Sequence, residues 1–179
     1  MANTYKTKQA VIDEQNAVID EQNEKIKDLE EKMEDFNLAS HKLQKTAIFK
    51  ISVDGVNLEF EGSGLVPGTI LNQFSMDEYE GNFRVATTTR DLAGGNSLNH
   101  LYILNKDLKI IGAVEDLAEG ERIYSARFMN DKAYMVTYRN VDPLFVIDVE
   151  NPKDPEVLGY LKVSGYSNYL HPYSENILI

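Results

Sequence analysis

The sequence predicts an all-β fold of four-stranded antiparallel units, preceded by a long helix of coiled-coil type. Three observations predict it. All 11 Gly lie at or after Gly55 and all 5 Pro at or after Pro67, so the N-terminal part contains neither helix-breaking residue. Four seven-residue repeats occupy that N-terminal part. From Thr46 onward the apolar residues recur with a period of two, in twelve short segments separated by turn residues.

The helix is predicted over residues 1–45 and carries a heptad array. AVIDEQN at 10–16 is repeated without change at 17–23, and EKIKDLE and EKMEDFN continue the spacing. The repeats align one apolar stripe, interrupted by polar Gln layers and formed by Ile12, Ile19, Ile26, Leu29, Met33 and Phe36. A solitary helix has no core that buries such a stripe, so the pattern favours a coiled coil with a second copy, a dimer first. The alternatives are a solvated helical tail and an added oligomerisation segment.

Composition and charge exclude several classes of protein. The 18 Lys and Arg face 29 Asp and Glu, and the net charge of -11 argues against nucleic acid or an anionic membrane as partner. Without cysteine there is no disulfide framework, thiolate zinc site or cysteine nucleophile. No apolar run approaches the roughly 18 to 20 residues of a membrane-spanning helix, and residues 1–30 lack the apolar core of a signal peptide. We therefore expect no membrane insertion.

The β region opens with a predicted hairpin at 46–61. TAIFKISV and VNLEFE flank Asp54-Gly55, a dipeptide that favours a tight type I′ turn. GSGLVPG at 62–68 is interpreted as a link, and ILNQFSM at 70–76 as the strand that follows it. Four strands are predicted over each of 70–114 and 123–163, and two more, YSNYL and ENILI, over 166–179.

A repeat within this region indicates the architecture. HLYILNKDLKIIG at 100–112 and PLFVIDVENPKDPEVLG at 143–159 are both strand, polar turn and strand ending in Gly, about 43 to 47 residues apart. A period in the forties with four strands per unit is typical of β-propeller blades, whereas a sandwich does not explain the period. The prediction is a partial propeller with about three blades' worth of strands: a half blade at 46–61, blades at 70–114 and 123–163, and a half blade at 166–179.

Several segments resemble a known family. NQFSMDEYEGNFRVATTT, VPG at 66–68, HLYILN and DVENPKDPEVLG resemble the β-propeller domain of a bacterial and archaeal secreted-protein family, distantly similar to WD-repeat proteins. The resemblance covers about residues 46–179. It implies a propeller fold and an extracellular or cell-envelope location, and it supplies no catalytic residues. Two departures are that no secretion signal precedes the helix and that the family's propeller is longer.

No catalytic, cofactor-binding or metal-ligating residue is predicted, and no cofactor is expected. The three histidines are scattered and are interpreted as surface or hydrogen-bonded residues: His41, His100 and His171. The acidic cluster around Tyr79 lacks the alternating pattern of a calcium loop and is interpreted as a solvated turn. Asp148 and Asp154 lie on either side of a turn, and a surface turn is the ordinary explanation for them; the alternative is a carboxylate pair of the glycosidase type, which nothing in the sequence singles out.

Tyrosines are the one hint of a ligand face. Tyr166, Tyr169 and Tyr173 are the candidates, supported by tyrosines of the preceding blade at Tyr124, Tyr134 and Tyr138. Aromatic residues in strands are more often core, and the alternation assigns some to each role.

These observations favour a non-enzymatic interaction or scaffold module that assembles with itself. The coiled coil would join two copies, and half blades at the two termini would exchange strands to close a six-bladed ring. A protein or a glycan is the expected ligand. The alternatives are a glycan-processing propeller hydrolase with carboxylates on the loop face, and an excised or engineered fragment without independent function.

Overall fold

A computed structural model describes residues 2–91, 96–138, 142–163, 167, 169–174 and 177–179. The chain divides into two compact units, Met1–Ala39 and Ser40–Ile179. The first unit is helical, which confirms the predicted helix: α1 spans Ala2–His41. Exposed pairs one turn apart support it, with Lys25 Nζ 2.6 Å from Glu21 and Lys32 Nζ 2.6 Å from Asp28. No helix among the described residues is long and apolar enough to span a membrane.

The second unit contains the predicted four-stranded antiparallel sheets. A hairpin of β1 (Lys45–Asp54) and β2 (Asn57–Pro67) comes first. The first sheet follows in chain order: β3 (Met76–Tyr79), β4 (Asn82–Arg90), β5 (Ser97–Leu104) and β6 (Ile110–Leu117). The second sheet repeats that order: β7 (Arg122–Met129), β8 (Lys132–Tyr138), β9 (Asp142–Asp148) and β10 (Glu156–Val163). A short pair closes the fold: β11 (Pro172–Ser174) and β12 (Ile177–Leu178).

Two local predictions are wrong. The segment predicted as a link at 62–68 belongs mostly to β2, because Ser63 and Gly64 pair with Phe49 and Ile48 of β1. The strand predicted at 70–76 is a 3-10 helix, Gln73–Ser75, ahead of β3. The side chain of Asn72 accepts a hydrogen bond from the Phe74 N–H at 2.9 Å, and such a local turn competes with extended pairing.

The last predicted strands also differ from the structure. Tyr169 and Leu170, within the predicted segment 166–170, lie outside any strand, and the next strand begins at Pro172. Residues 166 and 168 of that segment lie outside the described residues.

Two apolar clusters separate three stacked β layers. One lies between the hairpin and the first sheet and contains Val66, Val85, Tyr102, Leu104 and Leu108. The other lies between the two sheets and contains Ala86, Leu101, Ile103, Ile123, Ala126, Phe128, Ala133, Met135, Ile147 and Val149. Burial of each large aliphatic side chain contributes about 1.5 to 3 kcal/mol to the free energy of unfolding. The layers are therefore held by side chains that meet between them.

Two glycines mark the closest approach of successive layers. A Cβ on Gly64 of β2 would lie 2.5 Å from the carbonyl oxygen of Leu108, and one on Gly112 of β6 would lie even closer to the carbonyl oxygen of Pro152. Each carbonyl belongs to the turn between the third and fourth strands of the following sheet. The same contact therefore occurs twice, and it leaves no room for a side chain.

We expect Gly112→Ala to lower the free energy of unfolding by about 1 to 3 kcal/mol, because the added methyl group meets fixed backbone. Gly62→Ala is the matched control, since a Cβ there meets nothing within 4 Å. Urea denaturation followed by circular dichroism measures both. Equal midpoints for the two variants would contradict this account of the layer contact.

Candidate functional site

A cavity of about 530 Å³ lies where the end of β4 meets the start of β7. The segment between the hairpin and the first sheet forms its third side. The lining residues are Thr69, Ile70, Leu71, Asn72, Thr88, Arg90, Arg122, Ile123 and Tyr124. A backbone bridge between Thr69 and Thr88 joins that segment to β4, with N–O distances of 2.9 and 3.0 Å. The walls are thus parts of separate elements that hydrogen bonds hold together.

A fully buried amide forms the support beneath the cavity. The Asn99 side chain accepts a hydrogen bond from the Thr88 hydroxyl at 2.8 Å. Its Nδ2 donates to the carbonyl oxygens of Leu117 and Glu121 at 3.0 and 3.1 Å. It thereby fixes the connection from β6 to β7, in which Ala118 adopts a φ of 49°. Because Arg122 follows this connection directly, Asn99 positions the start of β7.

A second buried network lies on the neighbouring residues of β4 and β5. The Nδ1 of His100 accepts a hydrogen bond from the Asp116 N–H at 3.2 Å, so the proton of the neutral ring is on Nε2. Nε2 donates to the Thr89 hydroxyl at 2.9 Å, and the same hydroxyl oxygen lies 3.0 Å from Nδ1 of His41. Burial lowers the pKa of His100, although the carboxylate of Asp116 acts in the opposite direction. His100 is therefore a buried core residue, and both of its ring nitrogens have hydrogen-bond partners.

The two arginines that line the cavity, Arg90 and Arg122, differ in their contacts from the other described arginines. Arg84 is buried against Asp77, with Nε 2.7 Å and Nη2 2.5 Å from its carboxylate oxygens. Arg127 stacks on Phe74 and donates to the carbonyl oxygen of Leu170 at 3.0 Å. Arg90 and Arg122 are exposed, and Arg122 donates to the Tyr124 hydroxyl at 3.0 Å. Both cavity arginines retain donors that no described carboxylate accepts.

The predicted tyrosine face lies only partly within the described residues. Tyr166 is outside them. Tyr169 is about half exposed and packs edge-on against Phe74 at 5.4 Å between ring centroids. Tyr173 is exposed on β11. Of the supporting tyrosines, Tyr124 lines the cavity and contacts Tyr138, with ring centroids 5.3 Å apart.

Two of the acidic residues considered from the sequence, Asp77 and Asp148, have structural partners. Asp77, interpreted as part of a solvated turn, instead pairs with buried Arg84. Asp148 accepts hydrogen bonds from the Glu150 N–H at 2.9 Å and from Lys132 Nζ at 3.1 Å, and both lower the pKa of its carboxyl group. Within the described residues, no three His, Asp or Glu side chains form a group that could hold a metal ion.

The six heptad residues proposed for oligomerisation lie along α1. Their side chains are 47 to 62% exposed in the single chain: Ile12, Ile19, Ile26, Leu29, Met33 and Phe36. The apolar stripe is thus present on the helix and uncovered.

Comparison with known proteins agrees with the stacked four-stranded sheets. A profile of the Beta propeller domain family matches residues 3–179. The chain belongs to the β-propeller domain family. The predicted resemblance to a β-propeller domain is therefore correct.

Two archaeal relatives of this propeller are similar along most of the chain. An uncharacterized protein of Methanocaldococcus jannaschii is 50% identical over 139 residues, which are 77% of this chain and 22% of the relative. An uncharacterized protein of Archaeoglobus fulgidus is 42% identical over 140 residues, 78% of this chain and 21% of the relative. The propeller chain spans about a fifth of the length of these curated relatives. No solved structure matches it.

Sequence reasoning missed the residues that build the cavity of this propeller. Asn99 falls just before the strand predicted from His100, although Asn is uncommon in strands and its place beside this one is a usable signal. Arg90 and Arg122 are far apart in the sequence, and only the packing of β4 beside β7 brings them to one cavity.

We expect His100→Gln to remove part of the pH dependence of stability. The lowered pKa of the folded His100 means that, below the unfolded pKa of about 6.5, the unfolded chain binds a proton that the folded ring resists. Stability from this group is present above that pH and is lost as the pH falls. The urea midpoint of the parent should decrease as the pH is lowered from about 7.5 to 5.5, and the midpoint of the variant should decrease less. Equal pH dependence in both proteins would contradict the assignment.

Proposed function

We propose that this β-propeller chain is a non-enzymatic interaction module that assembles with a second copy of itself. The heptad helix and the outer faces of the β layers supply the contacts. The exposed apolar stripe on α1 supports the helical contact, because a second heptad helix covers such a stripe by knobs-into-holes packing.

One comparison of equivalent positions carries the proposal. Gly64, Gly112 and Gly159 occupy equivalent places on β2, β6 and β10, and each pairs with a residue of the preceding strand. The residue that directly follows this pairing partner is Phe49 on β1, Leu104 on β5 and Ile147 on β9. Leu104 and Ile147 are 0% exposed because a preceding layer covers them, whereas Phe49 is 65% exposed. The hairpin therefore presents an uncovered interlayer face, on which Phe60 contacts Phe49 at 6.4 Å between ring centroids.

The complementary face lies on β10 of the second sheet. Gly159 occupies the place of Gly64 and Gly112, but a Cβ on Gly159 would meet nothing within 4 Å. Two residues further along the strand, Val66 is 0% exposed and its equivalent Leu161 is 62% exposed. We call the space beside Gly159 the seat. The seat and its apolar neighbour Leu161 are present on β10, but no layer among the described residues covers them as a following layer covers Gly64 and Gly112.

A second copy has the surface that this seat fits. In both occupied layers the equivalents of Phe49 and Leu161 belong to one apolar cluster: Leu104 with Val66, and Ile147 with Val114. The hairpin of one copy would therefore pack on β10 of another, in a head-to-tail contact that two copies can close. In that arrangement β11–β12 of one copy would join β1–β2 of the other as one four-stranded blade.

We expect the parent chain to have the mass of two copies by light scattering, and Gly159→Val to shift it toward one copy. The added side chain fills the seat without disturbing the single chain, since the site is open. Gly62→Val is the matched control, because Gly62 is equally open but faces away from the proposed contact. An unchanged mass for Gly159→Val would contradict the layer contact.

The helical contribution is measured in the same way. Ile19→Asp places a charge in the stripe and should weaken association, whereas Ala17→Asp adds the same charge on the opposite side of the heptad. If the two variants associate equally, the stripe is not an interface. The pair of experiments thus separates the helix from the sheet.

A further inference from the structure

We propose that the cavity between Arg90 and Arg122 binds a small organic molecule that carries a carboxylate or phosphate group. This binding site is separate from the self-association proposed above. It uses neither the heptad stripe nor the seat on β10.

The partition of arginines supports an anionic ligand. Among the four arginines in the described part of the chain, Arg84 has an internal carboxylate and Arg127 is stacked between aromatic rings. The other two line the same cavity, and its lining contains no Asp or Glu. In a chain with a net charge of -11, two arginines in a cavity whose lining holds no carboxylate are a local source of positive charge that attracts an anion.

The remaining lining suits the carbon skeleton of such a molecule. Guanidinium groups recognise planar carboxylates and phosphates through two parallel hydrogen bonds. Ile70, Leu71 and Ile123 supply an apolar wall, and the Tyr124 ring, over which the Arg122 guanidinium lies, continues it. The volume of about 530 Å³ lies within the range of roughly 300 to 1,000 Å³ that is usual for small-molecule sites.

The cavity is also held in place before a ligand arrives. Thr88 at its floor is bonded to buried Asn99, and the N–H of Ile123 lies 3.5 Å from the Thr88 hydroxyl oxygen. Arg90 lies two residues after Thr88 on β4, and Arg122 directly precedes Ile123 on β7. A fixed floor reduces the entropy that binding costs.

The test is an NMR titration of the full chain with glucuronate, glucose 6-phosphate and neutral glucose at low ionic strength. We expect saturable shifts with an anionic sugar and none with glucose. Arg90→Gln and Arg122→Gln should each weaken binding by about tenfold, and Arg90→Lys less, because lysine keeps the charge but loses the paired donors. Lys153→Gln removes the same charge from an exposed turn and is the control.

Each outcome decides the proposal. Anion binding that falls in the arginine variants and persists in Lys153→Gln supports it, and the preferred sugar tells carboxylate from phosphate. Equal losses in all charge variants would indicate diffuse attraction and overturn it. Equal binding of glucose, or no saturable shift with either anion, would overturn it as well. Circular dichroism checks that these exposed substitutions leave the fold intact.

Discussion

The close contact between a glycine on the last strand of one layer and a turn of the next layer determines how the layers of this propeller stack. At Gly64 and Gly112 a backbone carbonyl occupies the space of a side chain, so successive sheets approach closely enough for their apolar residues to meet. Val66 and Leu104 become fully buried in one layer, and Ile103 and Ile147 in the next. The repeat in the sequence thus corresponds to a repeated contact, because each unit has a glycine at the same place and apolar residues at equivalent positions that face the neighbouring layer.

The cavity depends on that stacking. β4 and β7 belong to different sheets, and their ends meet only because the two sheets pack together. Asn99 then holds the connection that leads into Arg122, and Thr88 joins it to the cavity floor. Buried polar groups thus hold the two exposed arginines in place where the sheets pack together, which links the fold to the proposed binding site.

Sequence patterns predicted the features that depend on periodicity. The heptads predicted α1, and the period in the forties predicted the four-stranded units. The Asp54-Gly55 dipeptide predicted the first hairpin, although its two-residue loop is Gly55-Val56, because Asp54 still pairs with Asn57. Features that depend on what a residue touches were not predictable in this way. The sequence places Gly64 in a link because no sequence pattern shows that backbone atoms of another segment lie in the space that a side chain would occupy. The Gln73–Ser75 helix was missed because its capping by Asn72 is a local bond within an apolar stretch.

The uncovered faces at Phe49 and Leu161 are the surfaces through which two copies of the chain are proposed to associate. The chain contains no cysteine, so single cysteines introduced at these positions report their own proximity. The most direct measurement mixes Phe49→Cys chains with Leu161→Cys chains under mild oxidation and follows disulfide formation. Head-to-tail packing predicts that the mixed dimer forms in preference to either like pair. Cross-links that form only between like chains, or equally among all pairs, would contradict it.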